Sequence, residues 1–155
     1  MGDSRRFDLF AKLATKYFPA SYRIADVAGG AGYMRLALEE LGYRNVETWD
    51  KRHRKIRGRQ RYQYFNWQTK ERYDALVAMH PDEATDHAIL YAAKHRIPAL
   101  ICPCCTRPNA VPFWGQYNFG NWIRHLTQLA EKNHMQVQQM TLKMSGRNLV
   151  LILTP

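Results

Sequence analysis

Residues 24–33 read Ile-Ala-Asp-Val-Ala-Gly-Gly-Ala-Gly-Tyr, and no other stretch constrains the fold as tightly. A short apolar run carrying an aspartate passes through a glycine-rich turn and opens into a helical pattern. Such a turn lets a ligand approach the backbone closely, because glycine has no Cβ in the way. The helix N-terminus behind it offers free N–H groups to an anionic or polar ligand. The dinucleotide fingerprint requires Gly-x-Gly-x-x-Gly/Ala. Gly30 and Gly32 supply the first pair, but Arg35 stands where the third small residue should be. That argues against NAD or FAD packed on this helix.

Around this unit the chain alternates between strand and helix patterns. Asp3 or Ser4 can cap a first helix whose Phe7, Phe10, Ala14, Tyr17 and Phe18 share one face, until Pro19 ends it. A first strand is expected over 22–27. Met34, Ala37, Leu38 and Leu41 give the next helix its apolar stripe, and Gly42 is a natural C′ residue for it. A second strand over 46–49 ends at Asp50. Further strands are expected over 62–65, 73–79 and 98–101, with a helix over 84–95. A long loop over 106–117 then leads to a helix marked by Trp122, Ile123, Leu126, Leu129 and Ala130. Strands over 136–143 and 148–153, joined by a turn at Ser145-Gly146, close the chain. Five alternations followed by a hairpin predict an α/β fold: a Rossmann-like, doubly wound, mostly parallel seven-stranded sheet with a C-terminal antiparallel hairpin.

A length of 155 residues fits a single domain able to bury its own core. No apolar run approaches the ~18 residues of a membrane span, and the N-terminus has no signal-peptide apolar region. The cysteines sit together at Cys102, Cys104 and Cys105. Neighbours that close are poor disulfide partners, so a reducing, cytoplasmic setting fits.

The net charge is +10, which implies a polyanionic partner. Over residues 51–61, seven of eleven are basic (Lys51, Arg52, Arg54, Lys55, Arg57, Arg59 and Arg61), and Tyr62, Tyr64, Phe65 and Trp67 follow. The run should emerge beside Asp50, at the carboxyl edge where open α/β sheets bind ligands. There Arg52, Arg54, Lys55 and Arg57 would neutralise nucleic-acid phosphates. Tyr62, Tyr64 or Trp114 could stack on an unpaired base.

Asp26, Ala28, Gly30 and Gly32 follow an Asp/Glu-x-Gly-x-Gly-x-Gly order, with alanine for the first glycine. Asp50 ends the next strand, roughly 20 residues on. Together these resemble motif I and the ribose-binding acid of the class I S-adenosylmethionine-dependent methyltransferases, and the strand pattern extends the resemblance over nearly the whole chain. It implies one methyltransferase domain over 1–155, with residues 1–20 as a covering helix and 21–155 as the catalytic core. It also implies S-adenosyl-L-methionine as cofactor, held by Asp26, Ala28, Gly29, Gly30, Gly32, Tyr33, Asp50, Lys51 and His80, with Asn66 or Trp67 against the adenine. More narrowly, His80 ending the fourth strand, Thr85-Asp86 after it and Pro103-Cys104-Cys105 ending the fifth resemble the subfamily that includes tRNA acceptor-stem 2′-O-methyltransferases. In this chain Pro81, Asp82 and Glu83 stand where that subfamily carries a Cys-Gly pair. The implied substrate is structured RNA, above all tRNA, methylated at a 2′-hydroxyl or a base nitrogen.

Methyl transfer from a sulfonium is an in-line displacement in which the enzyme chiefly aligns the nucleophile. An acceptor that must lose a proton gains from a nearby base, and His80 is the candidate. Asp82 is the candidate partner for the acceptor's hydroxyl or amine, and Cys104 and Trp114 are placed on the substrate side. A cysteine attacking C6 of cytosine, as in the cysteine-dependent cytosine-C5 RNA enzymes, is the rival mechanism, but the Asp-Ala-Pro-Cys type motif after the fourth strand is missing. Zinc sites usually pair cysteines two to four residues apart; these cysteines are closer, and no metal is assigned. Buried thiols packing a strand end are the simpler reading. Other readings are a DNA or protein methyltransferase, and an RNA-binding module that keeps the fold without turnover. A bare core is compatible with a homodimer or a partner subunit.

Overall fold

The computed structural model describes residues 2–52 and 60–155. The elements are α1 (Arg6–Ala14), β1 (Ile24–Val27), α2 (Tyr33–Glu40), β2 (Val46–Trp49), β3 (Gln60–Arg61), β4 (Ala75–Met79), α3 (Thr85–His95), β5 (Ala99–Cys102), α4 (Phe119–Lys132), β6 (Gln136–Thr141) and β7 (Leu149–Thr154). They build one seven-stranded sheet in the order β3-β2-β1-β4-β5-β7-β6. The strands from β1 to β5 pair in parallel, while β7 runs antiparallel between β5 and β6. The expected doubly wound sheet with its terminal hairpin is therefore present. The strand order reverses between β1 and β4, which opens a crevice at their carboxyl ends.

Alternation along the strands divides the core into two layers. On β4, Ala75, Val77 and Met79 face the layer that holds Phe10 and Leu13 of α1 with Met34 and Leu38 of α2. Leu76 and Ala78 face the other layer, with Tyr91 of α3 and Trp122 and Leu126 of α4. The helix α2 ends as its sequence predicts. Gly42 takes φ 95°, the Tyr43 N–H returns to the Leu38 carbonyl (3.2 Å), and the Gly42 N–H returns to Glu39 (3.0 Å).

Three expectations need correction. The third strand is Gln60–Arg61, not residues 62–65. The Arg61 guanidinium bonds Glu47 (2.8 Å) and Glu71 (2.9 Å) and lies over the Trp49 ring, which fixes the strand there. The chain then turns inward so that Phe65 packs on Trp49 and Tyr91. Within the aromatic run only Phe65 plugs the core, while Tyr62 and Trp67 stay exposed, and the segment is not a pleated strand. Among the described residues no helix lies between β3 and β4, so the alternation is less regular than expected. Finally, neither Asp3 nor Ser4 caps α1; Arg5 stands at its N-cap, and the Asp3 carboxylate accepts the Arg5 N–H (2.9 Å). No helix among the described residues is long and apolar enough to cross a membrane.

Candidate functional site

The loop from β1 to α2 wraps the end of the sheet around two buried carboxylates. Ala28, Gly30 and Gly32 all have positive φ (53°, 57° and 80°). Glycine takes that conformation freely, whereas alanine pays roughly 1–2 kcal/mol there. Gly29 is needed for space: a Cβ on it would lie 2.1 Å from Asp26 Oδ2. His80 and Asp82, at the end of β4, also have positive φ (53° and 51°). Three of the five described non-glycine residues with positive φ, Ala28, His80 and Asp82, thus lie at the two strand ends that flank the crevice.

Asp26 is fully buried. Its Oδ2 accepts a hydrogen bond from Thr48 Oγ1 (2.9 Å), and its Oδ1 has no partner among the described residues. Burial, only partly opposed by Thr48 and the Arg35 charge, pushes its pKa up to about 7. Asp50 is the opposite case. Burial works to raise its pKa, but donors outweigh it and hold the carboxyl below the usual carboxylate range. Those donors are the Gly30 N–H (2.8 Å), the Arg52 N–H (2.8 Å) and the Arg52 guanidinium, bidentate at 3.0 and 2.9 Å.

Two cavities meet at this loop. One, of about 240 Å³, is lined by Trp49, Asp50, Tyr64, Phe65 and Asp82 among others. The other, of about 230 Å³, is lined by Asp26, Gly29, Gly30, Tyr33, Met79 and His80 among others. Both also touch Ala28 and Arg52, so they form adjoining halves of one groove. Phe7 of α1 roofs the second half and packs on Tyr33 (ring centroids 5.7 Å), so α1 does more than cover the sheet.

The chain superposes on the ribosomal protein L11 methylase of Lactobacillus delbrueckii subsp. bulgaricus with a TM-score of 0.70 at 14% identity, over 99% of this chain and 80% of that one. The fold is that of the class I methyltransferases. A TehB-like SAM-dependent methyltransferase of Corynebacterium glutamicum gives a TM-score of 0.63 at 17% identity, over 94% and 86% of the two chains. Human N-acetylserotonin methyltransferase in complex with SAM gives 0.58 at 13%, over 96% of this chain and 50% of that one. No protein-family model matches the sequence, and no curated protein matches it. The likeness thus lies in the fold.

Most of the residues expected to hold a cofactor converge on the groove: Asp26, Ala28, Gly29, Gly30 and Tyr33 from the first unit, Asp50 and Lys51 from the end of β2, and His80 from the end of β4. Gly32 sits just behind them as the N-cap of α2. Asn66 and Trp67 do not line it. The Asn66 side chain accepts the Gln68 N–H (2.7 Å) within a turn, and Trp67 lies under the Lys94 ammonium. Because β3 ends at Arg61, the residues that follow it reach the groove earlier than expected, and Gln63, Tyr64 and Phe65 take those places. Arg107, from the loop after β5, lines the same half and was not anticipated.

Cations near the groove are engaged within the fold. Arg52 is seated on Asp50, and Lys51 pairs with Glu83. Arg54, Lys55 and Arg57 lie outside the described residues. The His80 ring meets the Arg147 carbonyl through Nε2 (2.9 Å). A carbonyl only accepts, so Nε2 carries the proton, and Nδ1 is the acceptor in the neutral ring.

The Asp82 carboxylate turns toward the end of β5, where Cys104 (2.9 Å) and Cys105 (3.5 Å) meet its Oδ1. Burial, then Asp82 and Cys105, push the Cys104 thiol up to about 12. Burial alone does the same to Cys102, which faces the Arg147 carbonyl. Thiols held this way are protonated at neutral pH, which argues against a nucleophilic role for either. Trp114 is 86% exposed on the loop after β5. That loop is pinned by Asp86, whose buried Oδ2 accepts the N–H groups of Asn109 (2.9 Å), Ala110 (2.8 Å) and Val111 (3.0 Å).

Proposed function

We propose that this chain is an S-adenosylmethionine-dependent methyltransferase acting on structured RNA, with tRNA as the first substrate class to test. The observation that carries the reading is Asp50, ending β2 beside the crevice with the Gly30 N–H already on its carboxylate. The local fit supports the cofactor. Gly29 leaves no room for a side chain over Asp26, and Asp26 presents a buried, unpartnered oxygen on the same half of the groove.

Asp50 would accept the ribose hydroxyls, for which the Arg52 guanidinium must give way. Tyr64 and Phe65 would flank the base, and Asp26 with the glycine loop would hold the amino-acid end. When bound, the cofactor supplies an electrophilic methyl group. His80 Nδ1 would take the acceptor's proton while Arg147 holds the ring through Nε2. Asp82 is not assigned to the acceptor, because its carboxylate is engaged by the thiols.

The RNA reading rests on charge. The excess of +10 and the seven basic residues over 51–61 begin at the rim of the groove, where Lys51 and Arg52 lie. The acceptor, a 2′-hydroxyl or a base nitrogen, is left to the assay. Incubation with methyl-labelled S-adenosylmethionine should label bulk tRNA in preference to protein or DNA. Replacing Arg54, Lys55 and Arg57 by glutamine should weaken RNA binding and flatten its salt dependence, by up to about one unit of slope for each phosphate no longer neutralised. Labelling of protein with RNA left unlabelled would move the substrate assignment to protein. A second reading, an RNA-binding module without turnover, is favoured by Arg52 bonded to both Asp50 oxygens and by Ala28 in motif I. It predicts RNA binding with no affinity for the cofactor.

A further inference from the structure

The groove leaves one cluster of side chains without a role. Asp82 at the end of β4 and Cys104 and Cys105 beyond β5 place three potential ligand atoms within 4.8 Å of one another, the one such group among the described residues. We propose that these side chains form a three-ligand site for a thiophilic divalent cation, with zinc as the ion its ligand set suits.

The separations support it. The two sulfurs are 3.5 Å apart, and Asp82 Oδ1 lies 2.9 Å from Cys104 Sγ and 3.5 Å from Cys105 Sγ. Tetrahedral zinc, with Zn–S of about 2.3 Å and Zn–O of about 2.1 Å, needs edges of about 3.8 Å between sulfurs and about 3.6 Å between sulfur and oxygen. Two edges already lie within about 0.3 Å of that geometry. The third, now spanned by a thiol hydrogen bond, has to open by about 0.7 Å when the metal replaces the proton. Two sulfurs with a single carboxylate oxygen select a borderline-soft ion over magnesium or calcium.

The surroundings also fit. Asp82 is aimed at the thiols by its left-handed backbone (φ 51°), and Thr85 Oγ1 holds its carbonyl (2.6 Å). On binding, two thiols release their protons to water, two Zn–S bonds and one Zn–O bond form, and no electron is transferred. Two thiolates, one carboxylate and a dication sum to a single negative charge. Arg107, whose guanidinium is held charged by the neighbouring Cys105 and Asp82, lies where it offsets that charge. Three ligands leave a fourth position for water or a bound group, and Asp82 and Arg107 both line the 240 Å³ half of the groove. The cysteine spacing alone disfavours zinc, but it leaves out the third ligand, Asp82, which comes from another strand end. The site does not depend on the methyltransferase reading.

The test is titration of the reduced, chelator-stripped full chain with Co²⁺ and then Zn²⁺. One equivalent of cobalt should produce a thiolate-to-cobalt charge-transfer band with the visible spectrum of tetrahedral cobalt, and zinc should abolish both. Cys104→Ala and Cys105→Ala should each lose the spectrum, Asp82→Asn should bind at least about tenfold more weakly, and Cys102→Ala should retain it. A wild-type chain showing only six-coordinate cobalt, or a tetrahedral spectrum that survives in both Cys104→Ala and Cys105→Ala, overturns the proposal. The wild type also provides a readout that needs no variant: zinc should raise the thermal midpoint of the stripped chain, and an unchanged midpoint counts against the site.

Discussion

Replacing Asp26 by asparagine changes the charge inside the groove while keeping its shape. The carboxylate is fully buried, one oxygen has only the Thr48 hydroxyl, and burial raises its pKa from 3.8 to about 7. At 1.36 kcal/mol per pKa unit, three units correspond to an upper figure of about 4 kcal/mol for ionising Asp26 in the fold, and about 2–4 kcal/mol is the range to expect. The sign follows from proton counting. A folded pKa above the unfolded value means that the native state binds more protons than the unfolded chain between about pH 4 and pH 7. Wild-type stability therefore falls as pH rises through that window and levels off above it. Asparagine does not titrate, so the variant lacks this component. Urea unfolding of both proteins from pH 4 to pH 8 should show the variant gaining about 2–4 kcal/mol relative to wild type across the range. Titrations elsewhere in the chain cancel in the difference. A difference that stays flat with pH would refute the burial account and imply that Asp26 is ionised and paired throughout.

Three further outcomes follow from the geometry. Gly29→Ala forces a Cβ to 2.1 Å from Asp26 Oδ2, so it should cost about 1–3 kcal/mol in urea unfolding and weaken cofactor binding, whereas unchanged values would mean that the loop is free to shift. His80→Ala should lower the methylation rate by about 10²–10⁴ with cofactor affinity intact; lost affinity would instead assign His80 to binding. Asp86→Ala leaves the N–H groups of Asn109, Ala110 and Val111 without their acceptor and should cost at least about 3 kcal/mol, with faster proteolysis in the loop over 106–117.

The first unit was legible because its determinants are local. A glycine loop needs only its own backbone, and Asp50 follows at a spacing set by one helix and one strand. The third strand was not, because its position depends on Arg61 reaching Glu47 and Glu71, and the aromatic residues that follow mimic a strand although only Phe65 among them fills the core. Asn66 and Trp67, expected at the groove, lie outside it as a direct consequence. The part Asp86 plays was hidden for a similar reason: its partners lie 23 to 25 residues downstream, and only the folded chain brings them together. Neighbouring cysteines read as packing until β4 and β5 set Asp82 beside them.

Asp50 and the loop after β1 are proposed to hold S-adenosylmethionine. Calorimetric titration of the wild-type chain and of Asp50→Ala with S-adenosylhomocysteine tests this assignment most directly. One-to-one micromolar binding to the wild type is expected, lost in the variant while the variant's thermal midpoint shows it folded. Absence of binding to the wild type, or equal binding to both, would contradict it.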